Sequence, residues 1–213
     1  MKKLKILELF AGTRSIGRAF EANGHEVYSV EWDKKHKDID LYIDINELTS
    51  DYILEHFGKP DIIWASPDCT TYSVAGCWYH RPKVDGINIA KTDYAKFCDK
   101  TNAHVIKLIK ELEPKYYFIE NPRGLLRSAD FMSSLPRYTI TYCQYGSRFM
   151  KPTDIWTNHP NPNFKPMCKP GSKCHESAPS GTHKGIQSSN LTKVEKSKIP
   201  PLLCEHIVKI SEA

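Results

Sequence analysis

The sequence predicts an α/β fold built on a mostly parallel sheet, with a small irregular C-terminal lobe. Three observations predict it. Short apolar runs of strand length alternate with amphipathic stretches of helical period over the first 158 residues. Glycine and proline fall at the joints between them. From 159 onward this alternation gives way to proline, glycine, lysine and polar residues. Alternation of this kind implies parallel strands with helices on both faces.

Each element has a local reason. Leu4 to Phe10 is apolar and strand-length, Ile16 to Ala22 suits a helix, and Gly24 suits its end. Glu26–Trp32 and Leu41–Ile45 read as strands two and three, with a helix from Glu47 to Phe57 between the third and the fourth, Ile62–Ala65. The clearest helix runs from about Thr92 to Leu112. Its apolar positions Ala103, Val105, Ile106, Leu108, Ile109 and Leu112 keep a helical period, and Pro114 stops it. Tyr116–Ile119 is a fifth strand, and Tyr138–Tyr142 and Asp154–Trp156 complete seven. Pro200 to Ile210 returns to a short helix. The expected organisation is a catalytic domain over 1–158 and a short basic lobe with a terminal helix over 159–213.

Composition narrows the class. The chain has 213 residues, enough for one domain with a small appendage, and a net charge of +5, which permits nucleic-acid binding without demanding it. No run of 18 apolar residues suggests a membrane span, and Met1-Lys2-Lys3-Leu4 leads straight into a strand, unlike a secretory leader. A cytoplasmic, monomeric protein is the expectation. The seven cysteines are an odd number, which argues against a disulfide framework and leaves core thiols, a nucleophile or metal ligands.

In open parallel sheets the ligand lies beyond the C-terminal ends of the strands. Phe10-Ala11-Gly12-Thr13 follows the first strand, where small residues let backbone approach a ligand. Glu31 ends the second, in the place of an acid that holds ribose hydroxyls; Asp44-Ile45 ends the third. Ser66-Pro67-Asp68-Cys69 follows the fourth and sets a thiol in the crevice. Glu120-Asn121-Pro122-Arg123 follows the fifth, and a carboxylate there is costly unless paired or used.

Taken in order, Leu9-Phe10-Ala11-Gly12, Ser66-Pro67-Asp68-Cys69 and Glu120-Asn121-Pro122 resemble three signature motifs of the DNA cytosine-5 methyltransferase family. Tyr145-Gly146, followed by Lys151-Pro152-Thr153, resembles its later, usually arginine-rich segment. The match covers roughly residues 4 to 158 and is similar to the short, phage-like members. The resemblance implies a Rossmann-like S-adenosylmethionine-dependent methyltransferase fold. It implies Cys69 as nucleophile toward carbon 6 of cytosine, with Glu120 and Lys151 as catalytic partners. S-adenosylmethionine would be held by Phe10, Ala11, Gly12, Thr13, Glu31, Trp32, Asp44, Ile45 and Pro67, with Trp32 over the adenine. The substrate would meet Ser66, Ser73, Asn121, Pro122, Arg123 and Arg148. Thr70 to Lys91 fits the family's mobile catalytic loop. DNA is the implied partner; RNA is a second nucleic acid on which the same chemistry works, and a non-catalytic relative that binds cofactor or nucleic acid is a reading of another class.

The chain also departs from the pattern. Asp68 stands where a second proline is usual, and a carboxylate there tends to raise the thiol's pKa. The Tyr145 segment has Arg148 and Lys151 in place of an arginine pair, and only about 55 residues follow it. Those residues contain Cys168, Cys174, His175 and His183. Such residues in a stretch too poor in apolar side chains to fold alone suggest a structural zinc ion, with His159 or Cys204 as further candidate ligands.

Overall fold

A computed structural model gives the fold and describes residues 2–176 and 191–213. A seven-stranded sheet has the order β3-β2-β1-β4-β7-β9-β8. Its strands are β1 (Lys5–Leu9), β2 (Glu26–Glu31), β3 (Leu41–Tyr42), β4 (Ile62–Ala65), β7 (Tyr116–Pro122), β8 (Arg137–Thr141) and β9 (Pro152–Thr157). β9 runs antiparallel to both neighbours, and the other pairings are parallel. A separate hairpin pairs β5 (Lys83–Val84) with β6 (Ile87–Asn88). The helices are α1 (Ser15–Ala22), α2 (Ser50–His56), α3 (Cys77–His80), α4 (Asp93–Leu112), α5 (Lys193–Ser197) and α6 (Pro201–Glu212).

Strand alternation sorts side chains onto two buried faces. Leu7, Leu9, Ile63 and Ala65 join Val105, Leu108 and Leu112 of α4 on one side. Ile6, Ile62, Trp64 and Phe118 join Ile16 and Phe20 of α1 and Leu203, Ile207 and Val208 of α6 on the other. The terminal helix of the expected 159–213 lobe thus packs into the core beside α1. Each face removes its apolar surface from water at roughly 25 cal/mol per Å².

Helix ends follow local chemistry. Thr92 caps α4, its hydroxyl accepting from Ala95 N–H, and Glu113 leaves it in a left-handed conformation before Pro114. Gly24, at φ +82°, turns the chain out of α1. Two expected spans differ. The third strand is only Leu41–Tyr42, because Asp44 accepts from Asn46 N–H and starts a 3-10 turn at Ile45. The helix expected over Glu47–Phe57 starts only at Ser50, behind the Thr49 cap.

The fifth strand is longer than its apolar run, and this extension shapes the site. β4 ends at Ala65 opposite Ile119. β7 continues through Glu120, Asn121 and Pro122, paired only with Ile155, Asp154 and Thr153 of β9. On the vacated side lies the turn 66–69, held by Asn121 Nδ2 donating to Pro67 O at 2.9 Å.

Candidate active site

The order of the sheet reverses between β1 and β4, and a cleft lies beyond the strand ends there. Phe10, Trp32, Asp44, Ile45, Pro67 and Asp68 line one side of a cavity of about 270 Å³. A smaller cavity beyond the β1 end is lined by Ala11, Gly12, Thr13 and Ser66, and Phe10 borders both.

The turn after β1 is built for close approach. Phe10 and Gly12 have φ of 57° and 48°. A positive φ is uncommon outside glycine, and Phe10 holds it because the turn is fixed elsewhere. Ala11 N–H donates to Val30 O, and Gly12 N–H to Glu31 Oε2 at 3.0 Å. Glu31 Oε1 accepts from Trp32 and Asp33 N–H at 2.9 and 3.1 Å. A carboxylate offers about four acceptor positions. Three are engaged by backbone, so Glu31 clamps the two strand ends together.

Trp32 is 70% exposed at the cavity edge. A tryptophan left so open beside a cleft offers a flat apolar face for a planar ligand to cover. The opposite wall comes from α4: Tyr94, Phe97, Cys98, Thr101 and Asn102. Sequence reading missed this wall. Its signal was the helical spacing of 94, 97, 98, 101 and 102, which puts a mixed aromatic and polar face on the first turns of α4.

Cys69 stands at the end of the β4 turn, partly buried. Burial first, then the Asp68 and Glu120 carboxylates, push its thiol up to about 11, while Lys151 acts in the opposite direction. Glu120 and Lys151 are thus, with Asp68, the charged groups that act on the Cys69 thiol. Glu120 is buried and its Oε1 accepts from the Tyr142 hydroxyl at 2.8 Å. Lys151 Nζ lies 4.5 Å from the Tyr142 ring centroid and donates to Lys196 O at 2.9 Å. Tyr142, which the sequence reading took as plain strand, is the residue that joins Glu120 and Lys151.

The other expected substrate residues are placed differently. Ser66 Oγ accepts from Trp64 Nε1. Ser73 closes a local turn, donating to Thr70 O and accepting from Gly76 N–H. Pro122 ends β7 and Arg123 is exposed, its N–H bonded to Pro152 O. Arg148 is exposed and paired with Glu176. In the loop 70–91, Arg81 faces inward: it sits 3.9 Å from the Tyr72 ring centroid and bonds Asp99 and the Thr71 and Ala95 carbonyls. Val74, Trp78, Tyr79, Val84 and Ile87 of that segment are exposed.

Of the expected metal ligands, Cys168, Cys174 and His175 come together, and Cys143 joins them. His183 lies outside the described residues. His159 and Cys204 are elsewhere: His159 bonds Ile210 O, and Cys204 lies in the α6 core.

The model of the C-5 cytosine-specific DNA methylase family matches residues 4–134. The chain belongs to this family. A Frog virus 3 (isolate Goorha) protein named probable DNA (cytosine-5)-methyltransferase is 27% identical over 168 residues, covering 73% of this chain and 71% of the viral one. The type II methyltransferase M.FnuDI of Fusobacterium nucleatum is 28% identical over 132 residues, covering 58% and 33%. Among solved structures, the Entamoeba histolytica methyltransferase EhMeth superposes with a TM-score of 0.54 at 12% identity, covering 74% of this chain and 53% of that one. The fold is thus the Rossmann-like methyltransferase fold. The chain spans most of the viral relative, about a third of the bacterial one and about half of the solved chain. No described helix is long and apolar enough to cross a membrane.

Proposed function

We propose that this family member is an S-adenosylmethionine-dependent DNA cytosine-5 methyltransferase with Cys69 as nucleophile. One observation carries the reading: the β7 extension bearing Glu120 holds, through Asn121 and Pro67 O, the turn that carries Cys69, and Pro67 and Asp68 of that turn line a cleft with an open tryptophan face. The donor set fits the cofactor: Glu31 for ribose hydroxyls, Trp32 for the adenine face, and Asp44 and Ile45 for its edge. S-adenosylmethionine, when bound, supplies the electrophilic methyl group that carbon 5 of cytosine takes up.

The protein's own residues supply the rest. The Cys69 sulfur gives its electron pair to carbon 6 of the cytosine, and the carbon 5–carbon 6 π pair moves to carbon 5. The thiol, pushed up to about 11, is mostly protonated at neutral pH, so its proton passes to water as the sulfur–carbon bond forms. Lys151, whose charge favours the thiolate, stabilises that change. Glu120 receives the exocyclic amine of the base, and Tyr142 fixes the carboxylate's orientation. After methylation, loss of the carbon 5 proton to a base returns the pair to the ring and expels the Cys69 sulfur. The target atom lies inside a duplex stack, so the cytosine must be flipped out or supplied single-stranded.

The test is covalent trapping. Purified protein is incubated with labelled S-adenosylmethionine and 5-fluorocytosine DNA, whose fluorine blocks the final elimination. A labelled adduct that is lost in Cys69→Ala supports the reading. An adduct with the matching RNA alone transfers the substrate to RNA. No adduct with either, despite cofactor binding, leaves a non-catalytic relative.

A further inference from the structure

We propose that Cys143, Cys168, Cys174 and His175 form a closed structural site for one zinc ion. The four come from separate parts of the chain. Cys143 lies in the 3-10 turn Tyr142–Tyr145 after β8. Cys168 is buried, its N–H donating to Thr141 Oγ1 at 3.0 Å. Cys174 and His175 end the turn that follows Gly171, at φ +82°. One ligand atom from each lies within 4.8 Å of all the others.

The separations have the size of a tetrahedral zinc cage. With Zn–S of about 2.3 Å and Zn–N of about 2.0–2.1 Å, the edges of a Cys3His tetrahedron are about 3.8 Å between sulfurs and about 3.6 Å from sulfur to nitrogen. Cys143 Sγ and Cys174 Sγ are 3.7 Å apart. His175 Nδ1 is 3.6 Å from Cys168 Sγ and 3.5 Å from Cys174 Sγ. The Cys143–Cys168 edge is shorter, at 3.0 Å, and still far beyond the ~2.05 Å of a disulfide. Cys168, Cys174 and His175 lie on irregular backbone, and Cys143 lies in the short 3-10 turn. Three soft thiolates and an imidazole with no carboxylate favour zinc over harder cations.

The segment they hold needs such a tie. Between β9 and residue 176 the described chain has no helix or strand. Its apolar anchors are few, chiefly Phe164 and Cys168. A bound ion would supply folding energy that the segment cannot obtain by burial. It would also clasp the segment to the 142–148 turn, where Glu176 N–H donates to Arg148 O at 2.9 Å. On binding, each thiol gives up its proton and becomes a thiolate ligand.

The experiment is metal analysis of protein purified without a metal-affinity tag. We expect about one zinc per chain by elemental mass spectrometry. Replacement by Co²⁺ should give the visible absorption of tetrahedral thiolate-bound cobalt. Cys143→Ser and His175→Ala should each lose most of the zinc, whereas Cys204→Ser, in the α6 core, should keep it. Should Cys143→Ser fail to fold, zinc release from the unaltered protein on thiol modification, counted with a chromophoric chelator, gives the same answer. Zinc-free protein that is folded and binds no Co²⁺ overturns the proposal, as does a Cys143–Cys168 disulfide in non-reducing peptide mapping. Cofactor binding and trapping at Cys69 are read separately, so this result is independent of the catalytic one.

Discussion

Asp68 beside the nucleophile makes a prediction that can be worked in detail. The Cys69 thiol is pushed up from 9.0 to about 11, with burial the first cause and the Asp68 charge the second. Asp68→Asn removes that charge and keeps an Oδ1 acceptor for Thr70 N–H, a bond of 2.5 Å. Because burial remains, the thiol should fall by about half a unit to one unit, a roughly 3- to 10-fold gain in thiolate. A less basic thiolate is a weaker nucleophile, with a Brønsted slope of about 0.4–0.5, so the alkylation rate at fixed pH should rise only ~2- to 4-fold. The assay is iodoacetamide labelling of the Cys69 peptide, followed by mass spectrometry from neutral pH to one unit below the thiol's pKa. Peptide resolution is needed because Cys174 is exposed and Cys77 partly so. Lys151→Gln should move the rate the other way, since its charge lowers the thiol's pKa. Equal labelling in Asp68→Asn, or slower labelling, would refute the electrostatic account.

Three further outcomes follow from the same geometry. Trp32→Ala removes the open face at the cleft edge and should weaken S-adenosylmethionine binding by about 1–2 kcal/mol, roughly 5- to 30-fold in calorimetry; an unchanged Kd sinks the stacking role. Arg81→Gln should lower stability by about 2 kcal/mol and open the 77–89 segment to limited proteolysis, because Arg81 is the buried cation that ties it to Asp99 and Tyr72; wild-type cleavage kinetics would contradict that. Burial raises Glu8 from 4.5 to about 7: the native state keeps this proton where the unfolded chain has lost it. Stability should therefore fall by ~3 kcal/mol as pH rises from 4.5 to 7. Glu8→Gln, which can still accept from Gly17 N–H, should flatten that slope in denaturant titrations; an unaltered slope assigns it to other groups.

The fold was legible wherever burial imposed a period. β1, β4 and β7 bury apolar side chains on both faces, as strands covered on both sides do, and α4 declares itself by spacing and by the Thr92 and Pro114 boundaries. What escaped was set by pairing between distant segments. Nothing local marks Glu120-Asn121-Pro122 as strand: these residues are polar or lack an N–H, and they are extended because β9 lies beside them. The α4 wall of the cleft escaped because its polar and aromatic positions read as solvated surface until the β4 turn faces them. Arg81 falls within the expected mobile loop Thr70 to Lys91, yet Asp99 lies 18 residues away and draws it inward.

Tyr142 and Cys143 show why motif and ligand spacing are incomplete guides. They are neighbours in one short turn, and backbone geometry sends their side chains to different tasks. Tyr142 lies in the α6-side core and gives its hydroxyl to Glu120. Cys143 meets Cys168 and Cys174. A search by local spacing cannot find Cys143, which stands 25 residues before Cys168, just past the expected strand Tyr138–Tyr142. The turn therefore couples the two sites physically. Loss of the metal would free the 168–176 segment and relax the turn that aims Tyr142 at Glu120. The consequence of the proposed site is directional: removing its zinc should lower the rate of methyl transfer more than it weakens S-adenosylmethionine binding, because the cofactor cleft is walled by the segments after β1, β2, β3 and β4 and by α4, none of which holds a ligand of that site.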